Sequence, residues 1–182
     1  MFRKIFGNII KSKRVLDERE LAYKSTGDAE QGLLKLEPVP KSFGKSVRIR
    51  QVDAGSCNAC EWECTALTNP VYDVQRFGVD FVASPRHADI ILVTGPVSWS
   101  MARALEKSWL AMPEPKLVIA CGDCAINGGV FKESYAVAAG ADKIVPVAYK
   151  ISGCPPTPAD IIKGIRGALE LLCGTHKGPE LK

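Results

Sequence analysis

Apolar positions follow two regimes along this chain, and the change comes near Val47. Before it, Phe2, Ile5, Phe6, Ile9 and Ile10 recur at i, i+3, i+4, i+7 and i+8 among Arg3, Lys4, Lys11, Lys13 and Arg14. That spacing predicts a basic amphipathic helix over residues 1 to about 15. Residues 16–46 are mostly polar, with apolar anchors at Leu33, Leu34 and Leu36. Pro38 and Pro40 impose an extended path there, so the stretch reads as an arm draped over something. From Val47 strands and helices alternate. Val47 to Val52 is a short strand. A cysteine-rich turn follows, then a short helix from Glu61 that stops before Asn69-Pro70. Asp89 to Thr94 is a continuous apolar run, the mark of a strand covered on both faces. Residues 98–112 carry a helical stripe of Met101, Leu105, Trp109 and Met112. Lys116 to Cys121 is a second covered strand and Lys143 to Val147 a third. A last helix starts at Thr157-Pro158-Ala-Asp160, where Thr caps, Pro suits the first turn and Asp completes a capping-box-like arrangement. Its buried face is Ile161, Ile165, Ala168, Leu169 and Leu172. This alternation predicts an α/β fold, a parallel doubly wound sheet with helices on both sides.

Three segments result: residues 1–46 as a basic helix and extended arm, 47–173 as the folded domain, and 174–182 as a C-terminal tail. At 182 residues the chain is long enough for one such domain with an arm. Charge follows the same division. Residues 1–50 hold twelve Lys and Arg against six Asp and Glu, whereas the remainder holds twelve against fourteen. The net +4 therefore belongs to the arm, and no interleaved basic and aromatic patch points to nucleic acid. No run of eighteen apolar residues is present, and the start lacks the apolar region of a signal peptide, so a cytosolic chain is expected.

Seven cysteines beside two histidines, His87 and His176, point to thiolate chemistry rather than to a disulfide framework. Ligands of doubly wound sheets bind beyond the carboxyl ends of the strands. Three glycine-bearing loops bring cysteines there: Gly55-Ser-Cys57-Asn-Ala-Cys60, Gly122-Asp-Cys124, and Gly153-Cys154-Pro-Pro-Thr-Pro158. Four thiolates suit tetrahedral zinc or an iron–sulfur cluster. A zinc interaction module would take the pairs Cys57-x-x-Cys60 and Cys121-x-x-Cys124. That choice leaves Cys154 unexplained and spends Cys121, which ends an apolar strand. Cys64 reads as core filling and Cys173 as incidental.

The stretch from about Val47 to Leu172 resembles the small subunit shared by respiratory complex I, its 20 kDa subunit, and the membrane-bound energy-converting [NiFe] hydrogenases. The resemblance rests on Cys60-x-x-Glu63, Ser84-Pro-Arg-His-Ala-Asp89 leading into Ile-Leu-Val-Thr-Gly-Pro96, Met112-Pro-Glu-Pro115, Gly122-x-Cys124 with Gly128-Gly129, and Val145-Pro146 before Gly153-Cys-Pro-Pro156. It implies a flavodoxin-like fold and one [4Fe–4S] cluster held by Cys57, Cys60, Cys124 and Cys154. It further implies an oxidoreductase complex, peripheral on the cytoplasmic face of the membrane. Its members would be a large catalytic subunit that binds nickel and iron, a ferredoxin-like subunit, and membrane subunits reached by the N-terminal arm. The two residues between Cys57 and Cys60 favour the hydrogenase branch, with proton and hydrogen interconversion coupled to ion translocation. In complex I subunits, which deliver electrons to quinone, the corresponding cysteines are adjacent. Glu63 is expected near the helix start or near proton transfer, and the resemblance makes Arg86 a positive group near the cluster or a subunit interface. His87 carries no assignment.

Overall fold

The computed structural model describes residues 46–172, with only the backbone of Leu171 and Leu172. The expected helix and arm before residue 46, the Leu172 side chain, Cys173 and the tail at 174–182 lie outside the described residues.

Five parallel strands form one sheet: β1 Val47–Asp53, β2 Val79–Phe81, β3 Ile90–Thr94, β4 Leu117–Cys121 and β5 Tyr149–Ile151, in the order β2-β1-β3-β4-β5. This is the flavodoxin-like order, and the α/β expectation holds. Strands β3 and β4 are buried at every position because alternate side chains enter two separate cores. Ile90, Leu92, Leu117 and Ile119 face α1 (Ala59–Ala66) and α4 (Pro158–Leu172), meeting Cys64, Leu67, Ile161 and Ile165. Ile91, Val93 and Val118 pack with Ala102 and Leu105 of α2 (Trp99–Leu110). Helix α3 (Asp123–Asn127) is a single short piece following β4.

Local chemistry explains the boundaries. Thr157 Oγ1 accepts from the Asp160 N–H at 3.3 Å, so the predicted cap opens α4. Ile161 and Ile165 are fully buried on its inner face, each worth roughly 1.5–3 kcal/mol of apolar transfer. On α2 the inner face is Ala102 and Leu105, with Met101 and Trp109 only half-buried at its flanks.

One expectation needs correction, and one strand is added. Residues 143–147 are not a strand: Ala141–Lys143 is a 3-10 turn, and the strand is Tyr149–Ile151. Pro146 has no N–H for a ladder, and Val145 donates back to Ala141 O at 3.0 Å, closing a turn; Ile144 and Val145 fill the α2-side core from irregular backbone. The edge strand β2 was not expected, since three residues with Asp80 in the middle give no apolar run.

Helix α4 crosses β5 closely. A Cβ built on Gly164 would collide with Cγ1 and Cδ1 of Ile151, and one on Gly167 would stand 2.6 Å from the Tyr149 hydroxyl. Gly164→Val is therefore expected to destabilise the fold by ~1–3 kcal/mol through overpacking. The urea midpoint measures it, and an unchanged midpoint would show that the helix can lift off β5 without cost.

Candidate iron–sulfur centre

Register brings the cysteine loops to one level. Asp53 pairs with Thr94, Thr94 with Cys121, and Cys121 with Ile151, so one rung of the sheet ends β1, β3, β4 and β5 together. The first loop leaves β1 in a turn in which Asp53 Oδ1 accepts from the N–H groups of Gly55 and Ser56, both at 2.8 Å. Cys57 is exposed in this loop, while Cys60, in the first turn of α1, is buried. The second loop places Cys124, half-buried, in the first turn of α3. The third carries the exposed Cys154. Reciprocal hydrogen bonds tie the second and third loops: Asp123 N–H to Gly153 O at 2.9 Å, and Gly153 N–H to Asp123 Oδ1 at 2.9 Å.

Two glycines press against the sulfurs. A Cβ on Gly122, whose φ is 89°, would stand 2.7 Å from Cys60 Sγ, and one on Gly129, with φ 53°, would stand 2.8 Å from Cys124 Sγ. Both are backbone conformations that an L side chain adopts only under strain. The bare backbone is thus folded onto two of the four sulfurs, which is how a bulky centre is admitted and how amides come near its sulfurs.

The thiols also share an electrostatic environment. Burial, then Glu61, Cys64, Cys124 and Cys57, push Cys60 up to about 12. Burial first, then Cys154, Cys57 and Asp123, raise the Cys124 thiol, while the Val130 backbone N–H lowers it. Cys60 thus feels Cys57 and Cys124, and Cys124 feels Cys57 and Cys154. Burial of Cys60 favours its neutral thiol, and a metal centre that takes it as a thiolate must displace that proton.

The remaining cysteines are placed differently. Cys121 is fully buried in the core with Cys64, Ile119, Ile151 and Ile161. The Cys64 side chain against it, and then burial, raise its thiol far above the ordinary range. The second zinc pair, Cys121-x-x-Cys124, thus has one member turned into the core. Among the described residues no three His, Cys, Asp or Glu side chains stand close enough together for one metal ion. The donor set of four thiols, together with the two bare-backbone contacts, fits an iron–sulfur cluster.

Glu61, not Glu63, is the acid of the first turn of α1. Among the described residues neither Glu61 carboxylate oxygen, both of them buried, has a hydrogen-bond partner, whereas Glu63 is half-buried farther along the helix. Sequence reading passed over Glu61 because its neighbour carried the motif; its position directly after Cys60 was the available signal. Arg86 and His87 are exposed on the 3-10 turn Pro85–His87, where Ser84 Oγ accepts from the Arg86 N–H at 3.3 Å. Both ends of that connection, Phe81 and Ile90, register with Ile49 rather than with the rung that carries the cysteine loops.

Comparison with known proteins follows the same outline. The profile of the family described as NADH ubiquinone oxidoreductase, 20 Kd subunit, matches residues 57–168. Formate hydrogenlyase subunit 7 of Escherichia coli K12 is 46% identical over 132 residues, covering 72% of this chain and 52% of that protein. The chain thus spans about half the length of this relative. The probable membrane-bound hydrogenase subunit mbhJ of Pyrococcus furiosus is 46% identical over 138 residues, covering 76% and 83%. Among solved structures, a chain of the membrane-bound sulfane sulfur reductase, an archaeal respiratory membrane complex, superposes with TM-score 0.64 at 34% identity, covering 71% of this chain and 72% of that one.

The close approach at Gly122 can be tested directly. Gly122→Ala is expected to add ~1–3 kcal/mol of backbone strain and to push the Cys60 sulfur aside. Reconstitution should then load less iron and sulfide than in the parent, with the far-UV circular dichroism retained. Equal loading and an equal urea midpoint would show that the contact is dispensable.

Proposed function

This chain belongs to the NADH ubiquinone oxidoreductase 20 Kd subunit family, and on that footing we propose that it is an electron-transfer subunit carrying one [4Fe–4S] cluster on Cys57, Cys60, Cys124 and Cys154. The observation that carries the reading is the meeting of three loops, distant in sequence, at one rung of the sheet, with glycine backbone against two of the sulfurs. When bound, such a cluster supplies reversible one-electron transfer.

The chain's own residues divide the work. Cys60 holds the buried inner side, Cys124 stands half-buried beside it, and Cys57 and Cys154 hold the outer side, which is exposed and requires a covering partner. The elements that carry Cys60 and follow Cys124 supply a surface for one. Trp62 is 68% exposed, Val130 85%, Phe131 44% and Tyr135 97%. Exposed aromatic residues beside a functional centre are what a docking interface uses as anchors. In this reading the partner is a large catalytic subunit of a membrane-bound energy-converting [NiFe] hydrogenase, and proton and hydrogen interconversion coupled to ion translocation takes place there. A ferredoxin-like subunit brings electrons, and residues 1–46 tie the chain to membrane subunits on the cytoplasmic face. Among the described residues no helix is long and apolar enough to cross a membrane.

The two residues between Cys57 and Cys60, and the 46% identity to a formate hydrogenlyase subunit and a membrane-bound hydrogenase subunit, favour the hydrogenase branch. A second reading, in which the partner reduces quinone or sulfane sulfur, draws on the family description and the structural relative. Metal analysis of the co-purified complex separates them. Nickel with hydrogen evolution supports the first, and quinone or sulfane sulfur reduction without nickel supports the second.

Ligation is expected to be strict. Alanine at any of Cys57, Cys60, Cys124 or Cys154 should abolish a normal iron and sulfide content, while Cys64→Ala and Cys121→Ala should retain it. Full content in any of the first four variants removes that residue from the site. For docking, the double variant Trp62→Ala, Tyr135→Ala should keep its cluster yet weaken recovery of the large subunit about tenfold or more, on the order of 1.4 kcal/mol. Undiminished recovery would move the interface elsewhere.

A further inference from the structure

Far from the cysteine rung, an apolar groove of about 230 Å³ opens between the start of β2 and α4. Val74, Phe77 and Val79 line one wall and Ile162, Ile165 and Leu169 the other. It is smaller than the roughly 300–1,000 Å³ of small-molecule sites, so it is sized for side chains. Its floor is core, since Val74, Val79 and Ile165 are buried, yet Phe77 at its lip is 55% exposed. Nothing in residues 46–172 covers that lip.

The chain itself enters the sheet beside this groove. The Val47 N–H donates to Gly78 O at 2.7 Å, and Val47 pairs with Val79, a residue of the groove wall. At no more than ~3.6 Å per residue, Phe43 can stand up to ~14 Å from Val47 and Leu36 up to ~40 Å, so both are within reach of the groove. Leu36, Val39 and Phe43 recur at intervals of three and four residues. Pro38 and Pro40 lie among them and restrict the free segment, which lowers the entropy lost on docking. Charge agrees with the placement. Arg166 lines the groove, and the Arg76 guanidinium lies 4.7 Å over the Phe77 ring at its lip. Residues 28–37 carry Asp28, Glu30 and Glu37 against the single Lys35.

We propose that residues 36–43 of this same chain lie in the groove, with Leu36, Val39 and Phe43 against its walls and the acidic stretch before them drawn to Arg166 and Arg76. Docking there anchors the base of the arm on the side of α4 and leaves residues 1–15 to engage another surface. The inference stands independently of what the cysteines hold.

The test uses the full-length chain with Phe43 replaced by photoreactive benzoylphenylalanine, followed by mass spectrometry of the cross-linked peptides. A mixture of isotopically light and heavy chains separates links within one chain from links between two. Expected are links within one chain to the peptides that contain Phe77 or Ile162–Leu169, and a several-fold lower yield when Phe77→Asp is added. Phe77 is 55% exposed, so that variant should keep the fold, which far-UV circular dichroism checks. Links to the cysteine rim, to a second copy or to a co-purified partner, with the groove unlabelled, would overturn the proposal. So would a yield unchanged by Phe77→Asp.

Discussion

The site depends on one alignment within the sheet. Because Asp53, Thr94, Cys121 and Ile151 share a rung, the loops after β1, β4 and β5 begin at the same height and have only short paths to one another. That alignment rests on two apolar cores. A slip of one residue in β3 or β4 would exchange the side chains facing α4 for those facing α2, and register is strongly specified where both faces are buried. The packing of Ile119 and Ile165 is thus as much a part of the cysteine geometry as the loops themselves.

The rim is electrostatically unsettled without a metal. Burial first, and then repulsion from neighbouring carboxylates and thiolates, raise Cys60 and Cys124 and favour their neutral forms. A cationic iron core bound there would convert that repulsion into coordination, so metal binding and the order of the rim are thermodynamically linked. Cys64 and Cys121 stand one layer deeper and stay within the apolar packing. Depth in the fold therefore distinguishes the two kinds of cysteine, which the shared residue type conceals.

Much of this was legible in the chain. The doubly covered strands Ile90–Thr94 and Leu117–Cys121 announced themselves as apolar runs, and the Thr157–Asp160 cap marked the last helix. Glycine beside each cysteine loop pointed to close backbone approach, which Gly122 and Gly129 show; Gly129 lies beyond the loop in which the first signal was read. Local pattern failed where a segment's conformation is set by tertiary contacts. Residues 143–147 look like a strand, but Pro146 and the turn to Ala141 send Ile144 and Val145 into the core without a ladder. The strand β2 exists because β1 offers it an edge, and its own three residues carry little signal. Glu61 was hidden because burial of a carboxylate is a property of its surroundings, and nothing in the residue type reports it.

The central claim is that these four thiols hold a multi-iron centre and not a single ion. Anaerobic purification of the chain followed by iron, zinc and acid-labile sulfide determination, with Mössbauer spectroscopy of an iron-57-labelled sample, tests it most directly. The account predicts iron and sulfide in equal amounts, about four of each per chain, with the delocalised-valence signature of a [4Fe–4S] cluster. Stoichiometric zinc without sulfide, in protein kept from oxygen throughout, would contradict it.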